Sequence, residues 1–148
     1  MSKMTNNSDI TNYVTGGRGE FTLTSRKTDT SLTYRTRWAR DHLMMFVYHL
    51  SGPNNDNDAD YSYTGVLVGF EEGEDIRLRT TKRSTVTVDA PSFRALNWLL
   101  KRLNTEPLGE LPETIEFRHS GSCCRCGRKL TTPQSIDAGI GPVCGGRR

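Results

Sequence analysis

Phe21-Thr22-Leu23-Thr24, a polar gap from Ser25 to Thr30, and then Leu32-Thr33-Tyr34-Arg35-Thr36-Arg37-Trp38 form the stretch that decides the fold. Apolar and polar residues alternate with period two on both sides of the gap, the pattern of two half-buried strands joined as a hairpin. In the second strand Leu32, Tyr34 and Trp38 share one parity, while Thr33, Arg35 and Arg37 share the other. The strand therefore has an aromatic face and a basic face.

Downstream, Met44 to Leu50 is a mostly apolar run suited to a central strand, followed by a long polar turn, Ser51 to Asp60. Tyr61 to Phe70 resumes the sheet, the acidic turn Glu71-Glu72-Gly73-Glu74-Asp75 leads to Ile76 to Thr80, and Thr85 to Val88 reads as a further short strand. Strands joined by turns this short pair antiparallel, because parallel pairing needs crossover helices that are absent here. One helix is signalled by Asp89 as cap, Pro91 in the first turn, and Phe93, Leu96, Leu100 and Leu103 at helical spacing. After the linker Pro107 to Pro112, Glu113 to His119 alternates as a last strand with Ile115, Phe117 and His119 of one parity.

The expected fold is α+β, an antiparallel meander packed by one helix, with a small treble-clef-like zinc-knuckle module at the C-terminus. Its parts are a flexible N-terminus (1–18), a sheet with its helix (19–106) and a last strand with the metal module (113–148). Gly16-Gly17-Arg18-Gly19 is read with the flexible part, since a phosphate-cradling loop would be followed by a helix rather than by strand-like residues.

All four cysteines lie in the last 26 residues and two are adjacent, an arrangement that suits a metal site in a reducing compartment better than two disulfides. His119-x3-Cys123-x2-Cys126-Gly127 followed by Cys144 has a coordination logic. Two cysteines separated by two residues reach one tetrahedral ion from a single tight turn, and Gly127 permits the positive φ that brings backbone amides to the sulfurs. Thr132-Pro133 opens a capped helical turn ended by Gly139, and Gly141-Pro142 returns Cys144 to the ion, expected to be Zn²⁺. The expected ligands are His119, Cys123, Cys126 and Cys144; Cys124 competes with His119 for the fourth place, and water is third. Cys124 otherwise stands outside the ligand set, and His42 and His49 are read as ordinary sheet residues.

The run Cys123-Cys124-Arg125-Cys126-Gly127-Arg128-Lys129-Leu130-Thr131, with Pro133, Ser135-Ile136, Gly139, Gly141-Pro142 and Cys144, resembles a C-terminal domain of unknown function common in phage and prophage proteins. Upstream, Leu50 to Asn54, Asp60 to Tyr63 and the helix also look like phage proteins carrying that tail. The resemblance implies zinc and a phage origin, and it supplies no activity.

No apolar run approaches the roughly 20 residues needed to span a bilayer. The polar segment Met1 to Asn12 has neither an export nor an organelle pattern, so a cytoplasmic protein of the host cell is expected. Six Arg and Lys face one acid in residues 118–148, against fourteen and sixteen before them. This concentration suits a polyanion. The expected function is therefore non-catalytic binding of nucleic acid, DNA or RNA, through Arg118, Arg125, Arg128, Lys129, Arg147 and Arg148 together with Arg35 and Arg37, with Tyr34, Trp38 and Trp98 nearby. The alternative is a host-takeover or anti-defence protein that binds and inhibits a host nucleic-acid-handling protein through the acidic loops Asn54 to Asp60 and Glu71 to Asp75 or through the sheet face. No nucleophile motif or paired carboxylates suggest an enzyme.

Overall fold

The computed structural model describes residues 2–54 and 57–145. Among them a mostly antiparallel sheet carries helices and a cysteine cluster near the C-terminus. The strands are β1 (Ser2–Met4), β2 (Glu20–Ser25), β3 (Thr30–Trp38), β4 (Met45–Leu50), β5 (Tyr61–Val68), β6 (Arg77–Arg79) and β7 (Ile115–His119). Their spatial order is β1-β7-β2-β3-β4-β5-β6, and each described pairing is antiparallel. From β2 to β6 the sheet is the meander that the short turns require. β7 then enters between β1 and β2.

The alternation in the opening stretch sets the two faces. Phe21, Leu23, Tyr34, Thr36, Met45, Val47, Leu67 and Phe117 are buried on one of them. The rings of Phe21, Tyr34 and Phe117 stack across β3, β2 and β7, with centroids 5.5 and 4.9 Å apart. On the opposite face Thr22 bonds Thr33, Oγ1 to Oγ1 at 2.7 Å, Arg35 stands beside Tyr48, and Arg37 beside Phe46. A register shift between Val47 and Tyr48 lets Tyr63 meet both Phe46 and Tyr48 edge-on.

The longest helix, α2 (Pro91–Thr105), covers the apolar face with Phe93, Leu96, Leu99, Leu100 and Leu103 buried. Tyr34 donates its hydroxyl to the Ser92 carbonyl at 2.7 Å, and Asn104 donates to Ile76 O at 2.9 Å, fixing the helix against β3 and the approach to β6. Pro91 opens the helix as its ring geometry favours. The N-cap, however, is Ala90 without a side-chain bond, so Asp89 does not cap. Residues 85–88 are bend and turn rather than strand: Thr85 binds Tyr63 O through N and Oγ1, outside the ladder.

The largest departure from expectation is the N-terminus. Residues 2–18 are built into the fold: β1 pairs with β7, and α1 (Asn7–Val14) buries Ile10, Tyr13 and Val14 completely or nearly so. Asn6 caps α1 by accepting from Ser8 N and Asp9 N. Ile10, Tyr13 and Val14 fall at i, i+3 and i+4, a single apolar stripe in an otherwise polar octapeptide. The linker after α2 is tied to this segment as well, through Asn7 N to Gly109 O at 2.9 Å and Leu111 N to Thr5 O at 3.0 Å.

Candidate metal centre and arginine cleft

β7 runs directly into the cysteine module. Cys123 N bonds Arg128 O at 2.8 Å and Gly127 N bonds Cys123 O at 2.9 Å, closing a tight knuckle in which Gly127 has φ 79°. A side chain there would be strained. Thr132 caps the short helix α3 (Pro133–Ala138), its hydroxyl accepting from Ser135 N, and Gly139 ends it in the left-handed conformation. After Gly141 the last turn, α4 (Pro142–Gly145), carries Cys144 back to the knuckle.

The result is a cluster in which the sulfurs of Cys123, Cys126 and Cys144 lie within 4.8 Å of one another. Three thiolates around one tetrahedral ion at about 2.3 Å would stand at such separations, so the donor set fits a metal ion. Backbone amides already face the buried member, with Gly141 N 3.3 Å and Arg125 N 3.5 Å from Cys123 Sγ. Burial would raise the Cys123 thiol, but these N–H groups and the one of Cys126 outweigh it and hold it at about 7. Cys144 is shifted the other way, by desolvation and by the two neighbouring sulfurs.

His119 does not join this group. It is fully buried, stacks on Tyr13 with centroids 5.0 Å apart, and engages both ring nitrogens elsewhere. Nδ1 accepts from Gly121 N at 3.0 Å, which leaves Nε2–H to donate to Ile136 O at 2.6 Å. The parity of β7 turns His119 inward, where its ring nitrogens meet backbone. Burial holds its pKa below the usual histidine value. Among the described residues no other His, Cys, Asp or Glu completes the cysteine cluster. Cys124, the competitor for the fourth place, is buried outside the cluster, where a Cβ on Gly16 would stand 2.6 Å from its sulfur.

That contact belongs to a second feature. Arg18 N bonds Cys124 O, Trp38 N bonds Gly17 O, and Thr36 N bonds Gly19 O, so the glycine run is a rail between β3 and the knuckle. Gly17 has φ 119°, and a Cβ there would stand 2.7 Å from Trp38 Cδ1. Beside the rail opens a cleft of about 900 Å³, lined by Arg18, Arg37, Arg125, Trp38, His42 and Cys124 among others. Arg18 and Arg125 are exposed, whereas Arg37 is half-buried and donates to Gly19 O and Thr36 O. Burial, then the charges of Arg18 and Arg35, depress the Arg37 pKa, with Glu20 and Asp58 opposing. No carboxylate makes an ion pair with Arg18, Arg37 or Arg125 among the described residues.

The other basic residues are dispersed. Arg35 pairs with Glu20 and Asp58 and lies 4.0 Å from the Tyr61 ring centroid. Arg118 pairs with Glu116, and Arg128 and Lys129 line a separate groove beside the cysteines. Arg147 and Arg148 lie outside the described residues. Tyr34 is fully buried and Trp98 stands on α2 beside Leu23 and Leu32, so of the three aromatics named from sequence Trp38 lines the cleft. Arg18 was missed because its glycine neighbours read as a flexible lead-in. His42 was misread, since it stands in the β3–β4 turn rather than in a strand, whereas His49 does lie in β4 and bonds Thr64 Oγ1 at 2.6 Å. In the acidic loop, Asp58 pairs with Arg35 and Asp60 accepts from Asn54 N; Asn55 and Asp56 lie outside the described residues. No helix among the described residues is long and apolar enough to cross a membrane.

Set against known proteins, residues 115–148 match a family of unknown function (DUF6011), which covers the last strand and the cysteine module. No curated protein and no solved structure matches the chain.

Proposed function

We propose that this chain is a phage-derived, zinc-clasped protein that binds nucleic acid without catalysing a reaction. The observation that carries the reading is the convergence of Arg18, Arg37 and Arg125 on one cleft with no ion-paired carboxylate among the described residues. Arg18, Arg37 and Arg125 come to one cleft from the glycine rail, β3 and the knuckle, and the Arg18 charge already opposes that of Arg37, a repulsion that an anionic ligand would relieve. The tail's resemblance to phage proteins supports the setting, and its match to a family of unknown function adds no activity.

In this reading Cys123, Cys126 and Cys144 hold zinc as scaffold, in a module of treble-clef-like form. Three thiolates donate enough charge to blunt the ion's Lewis acidity, and no His, Asp or Glu among the described residues joins the cluster to act as a base. Zinc would fix the knuckle, which the Arg18 N to Cys124 O bond of 2.6 Å ties to the glycine rail, so that Arg18 and Arg125 line the same cleft. Because Asp58 and Asp60 make contacts within the protein, capture of a basic host protein by that loop has less behind it.

A binding titration against salt tests the reading. For single strands the affinity should fall with a slope of about −0.7 per phosphate contact on logarithmic axes. Arg18→Gln and Arg125→Gln should each flatten that slope by about one contact. Absence of binding to any DNA or RNA at low salt would sink it.

A further inference from the structure

The cleft has a second component that charge does not explain. Trp38 and His42 stack nearly parallel, with centroids 5.2 Å apart and planes 10° from each other. His42 occupies the β3–β4 turn, closed by Ala39 N to Met44 O at 2.9 Å and His42 N to Ala39 O at 3.0 Å. Its backbone adopts φ 58°, an uncommon conformation for a residue with a side chain. The side chain is exposed, and its imidazole makes no hydrogen bond to the described residues. The turn thus presents an exposed flat ring that is stacked on Trp38 and lines the cleft. On its remaining side Trp38 is backed by Phe70, centroids 4.7 Å apart.

A flat, exposed ring beside a cluster of arginines in a cleft of about 900 Å³ matches the two halves of a nucleotide, a planar base and an anionic phosphate. We infer that the cleft seats one unpaired nucleotide, its base stacked on His42 as the third ring of the Trp38–His42 column and its phosphate on Arg18 and Arg125. This rests on the nucleic-acid reading and narrows it to nucleotides that are not in a duplex, because a paired base has no free face to offer. The same chemistry is supplied by a single strand or by a free nucleotide.

The test compares four probes on the zinc-loaded full chain: a short single strand, an abasic strand of equal length, a duplex, and a nucleoside monophosphate. The strand with bases should bind about tenfold or more tightly than the abasic strand and the duplex. His42→Asn, which keeps a residue tolerant of the left-handed turn while removing the ring, should weaken the based strand by about tenfold and leave the abasic strand unchanged. Unchanged circular dichroism of this variant guards against misfolding. A monophosphate that binds as tightly as the strand identifies a free nucleotide as the occupant; one that binds far more weakly identifies a strand, and both support the seat. Equal binding of based and abasic strands, a duplex that binds as well as the strand, or full affinity in His42→Asn overturns this inference and leaves the nucleic-acid reading intact. Failure of all four probes overturns both.

Discussion

The sheet body and the cysteine module are held together by different physics. The body buries aromatic and aliphatic side chains between the described strands and the helices α1 and α2, with Ile10, Met45, Val47, Leu67, Leu96 and Leu99 all fully enclosed. Residues 120–145 bury far less apolar surface, chiefly Leu130, Ile140 and the thiols of Cys123 and Cys124. Inside it stands a thiol cluster that could hold a metal ion, and outside it packs the N-terminal segment. Tyr13 is where the two regimes meet: its hydroxyl donates to Ser122 O at 3.0 Å and lies 3.2 Å from Glu20 O, while its ring lies on His119. A module with so small a core of its own would depend on a bound metal ion and on the neighbouring helix for its rigidity.

Metal removal should break the comparison most visibly. Structural zinc contributes about 10–16 kcal/mol of apparent binding free energy in small fingers. Chelation, or Cys123→Ser, should therefore leave residues 120–145 open to proteolysis and rapid amide exchange while β2 to β5 stay protected. Collapse of the whole chain would show that the two regions are one cooperative unit. Elemental analysis should find one zinc per chain.

Tyr13→Ala comes next, with an expected loss of about 3–5 kcal/mol by urea denaturation. Since the ring serves both regions, amide protection should fall in the module as well as in the sheet; loss confined to the sheet would remove Tyr13 as the link.

His119 sharpens the distinction between scaffold and ligand. His119→Gln should keep one zinc per chain yet cost about 1–3 kcal/mol through imperfect pairing of Gly121 N–H and Ile136 C=O. Loss of zinc would restore His119 as a ligand. The pH dependence follows from the same burial. With its folded pKa below the unfolded value, His119 takes up protons more readily when unfolded, so its neutral form stabilises the fold above the unfolded pKa of about 6.5. That stability should be lost as pH falls below about 6.5 toward the depressed folded value, and the corresponding part of the slope should vanish in His119→Gln.

The smallest effect on metal content is expected for Cys124→Ser, which stands outside the cluster: unchanged zinc by elemental analysis, with about 1–3 kcal/mol of stability lost by urea denaturation because a buried thiol becomes a buried hydroxyl.

Legibility in the sequence followed the strength of the periodic signal. β2, β3 and β7 announce themselves by alternation, β4 by a mostly apolar run and α2 by helical spacing, and the knuckle does so because coordination restricts spacing tightly. α1 escaped notice because its stripe is three apolar residues among Asn, Thr, Ser and Asp, types that prefer caps and turns, and tertiary burial overrides that preference. His119 was placed on the correct face, but spacing to Cys123 cannot distinguish a ligand from a side chain bonded to Ile136 O. Arg18 and His42 were invisible as partners of Arg125 and Trp38, since their proximity arises from strand pairing and turn geometry across more than a hundred residues of chain in the first case.

The insertion of β7 between β1 and β2 sets an order of events during synthesis. Until residues 115–119 are made, β2 is an open sheet edge and β1 has nothing to pair with, so the meander waits with one flank uncovered. Closing that gap joins segments about a hundred residues apart, the sort of pairing that slows folding and leaves a strand edge available to other chains in the meantime. The arginine cleft, which needs the knuckle seated against the glycine rail, likewise draws on residues from both sides of that gap.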